Sequence, residues 1–67
     1  MDWHQHVGGR IREIRERQHL TQEEVAAEAS TDLSYYRGIE AGKRNASLAK
    51  LILIANALGV KVPELFF

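Results

Sequence analysis

The sequence predicts an all-α fold built from five short helices in one compact domain. Apolar residues recur at helical spacing along the chain, and no segment alternates with a period of two over a useful length. Capping residues stand before the apolar runs, and glycines follow several of them. The chain has 67 residues, 45% of them hydrophobic, which suits one small folded domain and not two.

The first helix is predicted over residues 7–18. Its apolar residues lie at i, i+4 and i+7 and form one stripe: Val7, Ile11 and Ile14. The other positions are mainly charged, as on a solvent-exposed face. The glycine pair at 8–9 weakens the first turn. We therefore expect a frayed start, with residues 1–6 as a flexible N-terminal arm and a folded domain over 7–67.

The next two helices are predicted over 22–29 and 33–41, with a tight turn between them. Thr21 caps the first of the two, and Glu24 follows three residues later to complete a capping box. Asp32 is a suitable N-cap for the second. Two short helices joined in this way form a helix-turn-helix. The residues expected to fill the wedge between them are Val25, Ala26, Ala29, Tyr36 and Ile39.

The fourth helix is predicted over 48–58, between the N-cap Ser47 and the closing Gly59. Four residues lie within one inward arc of this helix, namely Leu48, Leu51, Ala55 and Leu58. Ile52 and Ile54 flank that arc. Leu53 points the other way. A last short helical turn, which begins with proline, is predicted over 63–66.

These segments together resemble the Cro/cI-like helix-turn-helix family, which is also called lambda-repressor-like or XRE. The resemblance runs from about Val7 to Phe66 and rests on four linked runs, IREIRERQHLTQEEVAAEA, SYYRGIEAGKRN, SLAKLILIANALGV and PELF. It implies a compact five-helix DNA-binding domain whose helix-turn-helix is formed by the second and third helices.

Two positions depart from the family pattern. Ser30 stands where the family usually has glycine, and Ala46 stands where it often has proline. A left-handed backbone at Ser30 would cost a non-glycine residue on the order of 1 kcal/mol. We therefore expect a small loss of stability at the turn of the helix-turn-helix.

The resemblance implies that the third helix enters the DNA major groove and contacts base edges. The candidate base-reading residues are Asp32, Leu33, Ser34, Arg37 and Gly38. Arg37 is the strong reader among them, because its guanidinium can bind guanine O6 and N7 together. Asp32 is interpreted first as a helix cap, and Gly38 as a position that allows close backbone approach.

Phosphate contacts are expected to position the domain without reading sequence. The candidates are Gln22, Tyr35, Lys43, Arg44 and Asn45, with Arg10 and Arg12 as weaker ones. The resemblance further implies that Arg15 and Glu40 form a partly buried ion pair between the first and third helices. Arg15 would then be structural, and the face toward DNA would be more positive than the net charge suggests.

The chain carries more apolar residues near its end than one small core requires. The residues assigned to a homodimer interface are Leu53, Val60, Phe66 and Phe67. A two-fold dimer would read two half-sites about 34 Å apart, which is the usual way in which a small helix-turn-helix gains specificity. Burial of Phe66 in the monomer core is the alternative.

The composition excludes several other classes of function. Nine basic and nine acidic side chains cancel, so net charge favours no class of partner, and the absence of cysteine excludes thiol catalysis. The histidines are interpreted as solvated polar residues, namely His4, His6 and His19. No metal, cofactor or enzymatic activity is therefore expected. Neither a secretory signal nor a bilayer-spanning stretch is visible, so we expect a cytoplasmic protein without a membrane partner.

The leading hypothesis is a transcriptional regulator that binds specific double-stranded DNA, as a repressor or a controller. It would act by occupying DNA, by contacting RNA polymerase or through its own concentration. The alternative is a protein-interaction module that keeps the fold with weak or non-specific DNA binding. The low net charge and the single strong base reader favour that alternative.

A narrower resemblance points to restriction–modification controller proteins. It rests on Tyr35, on the run Gly38-Ile39-Glu40 and on Arg44-Asn45. These controllers often carry arginine where Leu33 stands. Phage repressors and antitoxin-type repressors remain open as alternatives.

Overall fold

The computed structural model describes residues 2–67. The elements in chain order are α1 (Trp3–Arg17), α2 (Gln22–Glu28), α3 (Leu33–Glu40), α4 (Leu48–Leu58) and a 3-10 helix (Val62–Leu65). The described part of the chain contains no strand. The predicted all-α class is therefore confirmed, and the fifth predicted helix is a 3-10 turn that begins one residue earlier than expected.

Local hydrogen bonds begin the helices where the capping residues predict. The Thr21 amide donates to Glu24 Oε1 at 2.8 Å, and the Glu24 amide donates to Thr21 Oγ1 at 3.0 Å, which completes the capping box. The side chains of Asp32 and Ser47 accept from backbone amides three residues later, at 3.1 and 3.2 Å. Gly59 ends α4 in the left-handed conformation, with φ 71°. These caps confirm the predicted starts of α2, α3 and α4.

The first helix begins earlier than predicted, at Trp3 and not at Val7. Asp2 caps it, because its side chain accepts a hydrogen bond from the His4 amide at 3.1 Å. The prediction of a flexible arm over 1–6 is therefore wrong for the helical residues 3–6, while Met1 lies outside the described residues.

Contacts with the end of the chain hold this early helical turn in place. The His6 Nε2 donates to the Phe66 carbonyl oxygen at 2.7 Å. The Trp3 ring stacks on the Phe66 ring, with 6.1 Å between their centroids. Phe66 lies 60 positions after His6, so Trp3 and His6 reach it only once the chain has folded.

Gly8 marks the crossing of α1 and α3. A Cβ atom there would lie 2.2 Å from the Ile39 carbonyl oxygen and 2.7 Å from that of Glu40. The sequence reading of this glycine as a weak point in the helix missed its role. Glycine is required because α1 and α3 approach each other through backbone at this point.

The core is formed by the buried apolar face of each helix. Its buried apolar residues are Val7, Ile11, Ile14, Val25, Ala26, Ala29, Tyr36, Ile39, Ala46, Leu51, Ile54, Ala55, Leu58 and Leu65. In this arrangement α3 packs between α1 and α2, and α4 packs on α2 and the 3-10 helix. The described residues extend over 28 × 22 × 20 Å along their principal axes.

One predicted core position of α4 is wrong. Leu48 is 66% exposed, whereas Ile54 is completely buried. Residues four positions apart differ by only about 40° around a helix, but Leu48 and Ile54 differ by about 120°. The buried arc is centred between Leu51 and Ile54, which leaves Leu48 at its solvent edge. Over residues 2–67, no helix has the length and apolarity needed to cross a bilayer.

Candidate nucleic-acid interface

Helices α2 and α3 form a helix-turn-helix around a left-handed residue. Ser30 has a φ of 52°, so the strained backbone expected at this position is present. The following residue, Thr31, is buried, and its Oγ1 donates to the Ala29 carbonyl oxygen at 3.0 Å. Ala26 and Tyr36 are also buried where the two helices pack. This packing sets the angle at which α3 is presented to solvent.

An ion pair ties the helix-turn-helix to α1. Arg15 Nε donates to Glu40 Oε2 at 2.7 Å, and its Nη2 donates to Oε1 at 3.1 Å. The Glu40 side chain is only 3% exposed and that of Arg15 only 12%. The pair implied by the family resemblance is therefore present in a two-pronged, nearly buried form.

Three further hydrogen bonds complete this cluster. Tyr36 donates its hydroxyl hydrogen to Glu40 Oε2, and Gln22 Nε2 donates to Glu40 Oε1 at 3.0 Å. Arg15 also donates from Nη1 to the Leu20 carbonyl oxygen at 2.9 Å. The Glu40 carboxylate thus accepts from three side chains, and no buried side-chain nitrogen or oxygen among the described residues lacks a hydrogen-bond partner.

The pKa values of the cluster follow from this geometry. Burial raises the pKa of the Glu40 carboxyl, but the hydrogen bonds from Arg15, Tyr36 and Gln22 outweigh it and bring the pKa below its ordinary value. Burial and the hydrogen bond to Glu40 raise the pKa of the Tyr36 hydroxyl. Glu40 is therefore charged, and Tyr36 neutral, at pH 7.

The candidate base readers occupy different environments along α3. Ser34 and Arg37 are exposed, and the Asp32 side chain is engaged in the N-cap of the helix. The interpretation of Asp32 as a cap is thereby confirmed. Leu33 is half-buried and packs against the core, so only part of its side chain is accessible.

Gly38 faces the loop that follows α3. A Cβ atom on Gly38 would lie 2.4 Å from Arg44 Cγ, and the Gly38 carbonyl oxygen accepts from the Lys43 and Arg44 amides at 2.9 and 3.2 Å. The geometry therefore gives Gly38 a role in closing this loop. Its absent side chain makes room for the stem of Arg44.

The candidate phosphate anchors lie at the start of α2, within α3 and in the loop after α3. Lys43, Arg44 and Asn45 are exposed in the loop after α3. Tyr35 is half-buried, and its hydroxyl donates to the Asn45 carbonyl oxygen at 2.6 Å. Gln22 is half-buried at the start of α2, with its amide between Glu40 and Arg37.

The charge of this region is more positive than that of the whole chain. Between residues 32 and 45 the acidic side chains are Asp32 and Glu40. Glu40 is paired with Arg15, which lies outside this segment, and Asp32 is engaged at a helix N-terminus. The basic side chains of the segment are all exposed, namely Arg37, Lys43 and Arg44.

The weaker phosphate candidates have partners within α1 or at the chain's end. Arg10 donates to the Glu64 carbonyl oxygen at 3.1 and 3.3 Å and also pairs with Glu13. Arg12 pairs with Glu16 at 3.3 Å. These contacts favour a structural role for Arg10.

Sequence reasoning missed two members of the buried cluster. Tyr36 lies four residues before Glu40, so their side chains share one face of a helix, and this spacing could have revealed the contact. The contact of Gln22 with Glu40 joins two helices and has no comparable sequence signal.

The histidines do not converge. His4 lies 2.8 Å from Asp2 Oδ1, His6 contacts Phe66, and His19 is exposed with a left-handed φ of 59°. Among the residues that the structure describes, no three His, Cys, Asp or Glu side chains are grouped to hold a metal ion.

The residues assigned to a dimer interface are mostly exposed. Leu53 is 39% exposed and Phe67 is 89% exposed, while Phe66 is partly covered by Trp3. Val60 packs against the core and is half-buried. Three other large apolar side chains are also exposed, namely Trp3, Leu48 and Ile52.

Comparison with known proteins places this architecture among regulators. Residues 11–65 match the protein family described as Helix-turn-helix. The chain is 43% identical over 60 residues to the control protein C.MunI of Mycoplasma sp, and the aligned region covers 88% of this chain and 81% of that protein. It is also 43% identical over 56 residues to the immunity repressor protein of Bacillus phage phi105, where the aligned region covers 84% of this chain and 39% of the repressor.

A solved structure has nearly the same fold. The crystal structure of the restriction-modification controller protein C.AhdI from Aeromonas hydrophila matches with a TM-score of 0.92 and 40% identity. The match covers 94% of this chain and 96% of that one. The similarity thus extends over almost the whole of both chains.

Proposed function

Because this chain belongs to the XRE-like helix-turn-helix family of transcription regulators and control proteins, which are not enzymes, we propose that it binds specific double-stranded DNA to regulate transcription. The third helix, α3, lies in the major groove, and Arg37 reads a guanine there. The repressor or controller acts in the cytoplasm.

The observation that carries this proposal is the exposed basic group beside the buried ion pair. Arg37, Lys43 and Arg44 are exposed on and just after α3, whereas Glu40 is neutralised by Arg15. The arrangement keeps the charge of Glu40 away from the surface that meets phosphates. Arg37 is a base reader, and the loop cations are phosphate anchors together with Tyr35 and Asn45.

A restriction–modification setting is the narrower form of the proposal. The relatives named as control proteins, C.MunI and C.AhdI, support it by their identity and coverage. Leu33 occupies the position where controllers often carry arginine, so the operator read by this chain differs from theirs at the contacted base. A second proposed partner is RNA polymerase, which this protein would contact while it is bound to DNA.

The DNA-bound form is a homodimer on a two-fold symmetric operator. The exposed apolar residues Leu53, Phe66 and Phe67 support this, because exposed apolar surface on a small protein commonly marks an interface. We assign the half-buried Val60 to the same interface. Sedimentation should give a dimer mass at high micromolar protein, and Leu53→Lys should give a monomer. A wild-type monomer at that concentration would contradict the dimer in free solution.

Selection of bound duplexes from a random DNA pool tests the function itself. The selection is run at low and at near-physiological salt, because phosphate contacts weaken steeply as salt rises. We expect a two-fold symmetric site whose half-sites lie about one helical turn apart. Sequence-blind, salt-sensitive binding alone would overturn the proposal and favour the protein-interaction module.

A further inference from the structure

The amide of Gln22 lies between the buried ion pair and the exposed Arg37. Its Nε2 donates to Glu40 Oε1 at 3.0 Å, and its Oε1 accepts from Arg37 Nε at 3.2 Å. These contacts span α2 and α3. They connect four side chains in a row, from Arg15 through Glu40 and Gln22 to Arg37.

The chemistry of Glu40 determines which way this amide points. A carboxylate only accepts hydrogen bonds, so the group that Gln22 turns toward Glu40 must be its NH2. The amide oxygen then faces Arg37, which offers only donors. The reversed amide would place two acceptors together on one side and two donors together on the other. Both hydrogen bonds therefore support one orientation of Gln22.

The contact with Gln22 uses only the Nε atom of Arg37 and leaves its two terminal nitrogens for a base. Guanine is bound by two parallel N–H groups of a planar guanidinium. The Nε–H group is already occupied by Gln22, so the terminal nitrogens remain for the base. Glu23 lies 3.9 Å from Arg37 Nη2, which is too long for a hydrogen bond and leaves that nitrogen available.

We propose that Gln22 is a positioning residue for Arg37, holding its guanidinium so that the two terminal nitrogens meet O6 and N7 of one guanine. The inference rests on the proposed function, in which Arg37 reads a base. It assigns Gln22 an effect on sequence preference, which a phosphate anchor would not have. The buried Arg15–Glu40 pair supports the reader through Gln22.

The test compares guanine preference in four proteins, which are the wild type, Gln22→Met, Arg37→Ala and the double variant. Each binds the selected duplex and the same duplex with the contacted G·C pair changed. Gln22→Met should lower the ratio of the two affinities by about tenfold, since a good bidentate contact supplies discrimination of roughly that size. In the Arg37→Ala background the same change should leave the ratio unaltered. Glu28→Ala, at an exposed position of the same helix, should keep the wild-type ratio.

A phosphate role for Gln22 predicts the opposite pattern. The variant would then lose affinity for both duplexes alike, with the ratio kept and the salt dependence unchanged, because Gln22 carries no charge. That result would overturn the inference and leave the proposed function standing. Failure of the wild type to select any preferred duplex would overturn the proposed function itself.

A measurement on the free protein keeps the inference testable if Gln22→Met fails to fold. In the wild type, NMR should show slower solvent exchange of the Arg37 Nε hydrogen than of the Arg44 Nε hydrogen, because Gln22 holds the former. Equal exchange at the two arginines would overturn the positioning role, whatever the DNA experiments show.

Discussion

Arg15 and Glu40 join α1 to α3 through two hydrogen bonds, of 2.7 and 3.1 Å. They stand 25 positions apart in the chain, and the Glu40 side chain is almost completely buried. The carboxylate that receives Arg15 also receives Tyr36 from its own helix and Gln22 from α2. One buried charge therefore fixes the relative placement of three helices.

Glu40→Ala should abolish the cooperative thermal transition. Removing one partner of a buried ion pair costs about 3–5 kcal/mol, because the other charge stays buried without compensation. A domain of this size has little more stability than that to lose. Circular dichroism during heating measures the transition. The exposed Glu13→Ala is the control and should melt nearly as the wild type does; an unchanged melt of Glu40→Ala would show that the pair acts as a surface contact.

The stability that Glu40 contributes should disappear in acid. Its pKa in the folded protein lies below the ordinary value of 4.5, so folding favours the charged form. That contribution is complete above pH 4.5 and is lost as the pH falls through the folded-state pKa. The melting temperature of the wild type should exceed that of Glu40→Gln at pH 7, and the gap should narrow below pH 4.5. A gap independent of pH would contradict the assignment.

Gly8 and Gly9 should respond in opposite directions to alanine. A Cβ at Gly8 would collide with the Ile39 carbonyl oxygen, whereas nothing lies within 4 Å of a Cβ at Gly9. Gly9→Ala should therefore stabilise the protein by about 0.5–1 kcal/mol through helix propensity. Gly8→Ala should destabilise it by at least about 1–3 kcal/mol, as overpacking does. Urea titrations of both variants provide the comparison, and equal midpoints would argue against the close crossing.

Ser30→Gly should stabilise the turn of the helix-turn-helix. Ser30 has a φ of 52°, which costs a residue with a Cβ on the order of 1 kcal/mol and costs glycine little. The gain in unfolding free energy should approach that amount. Ser34→Gly supplies the control, because Ser34 lies within α3 and the same replacement there should destabilise. Two changes of the same sign would mean that backbone strain at Ser30 is unimportant.

Arg37→Ala and Lys43→Ala should separate base reading from anchoring. Arg37→Ala should cost about 1–3 kcal/mol at one base pair and relax the preference there. Lys43→Ala should weaken binding to all sequences alike and reduce the salt slope by about one. Fluorescence anisotropy with the selected duplex and its single-pair variants measures both. If the two variants behave identically, the division into reader and anchor is wrong.

Local chemistry made much of the fold predictable. The capping box at Thr21, the caps at Asp32 and Ser47 and the left-handed Gly59 set helix ends through hydrogen bonds that span only a few residues. Such contacts form between neighbours in the chain, so residue order reveals them. The Arg15–Glu40 pair was accessible only through the family resemblance, since residues this far apart in the chain offer no local signal.

The sequence by itself determined α2, α3 and α4 with their caps and the exposed arginine on α3, because these follow from interactions within a few residues. The tertiary structure decided what those elements meet. It supplied Phe66 as a partner for the first turn of α1, turned Gly8 into a crossing point and exposed Leu48. It also set Gln22 between Glu40 and Arg37. Each of these depends on groups that are distant in sequence, and only packing brings them within contact range.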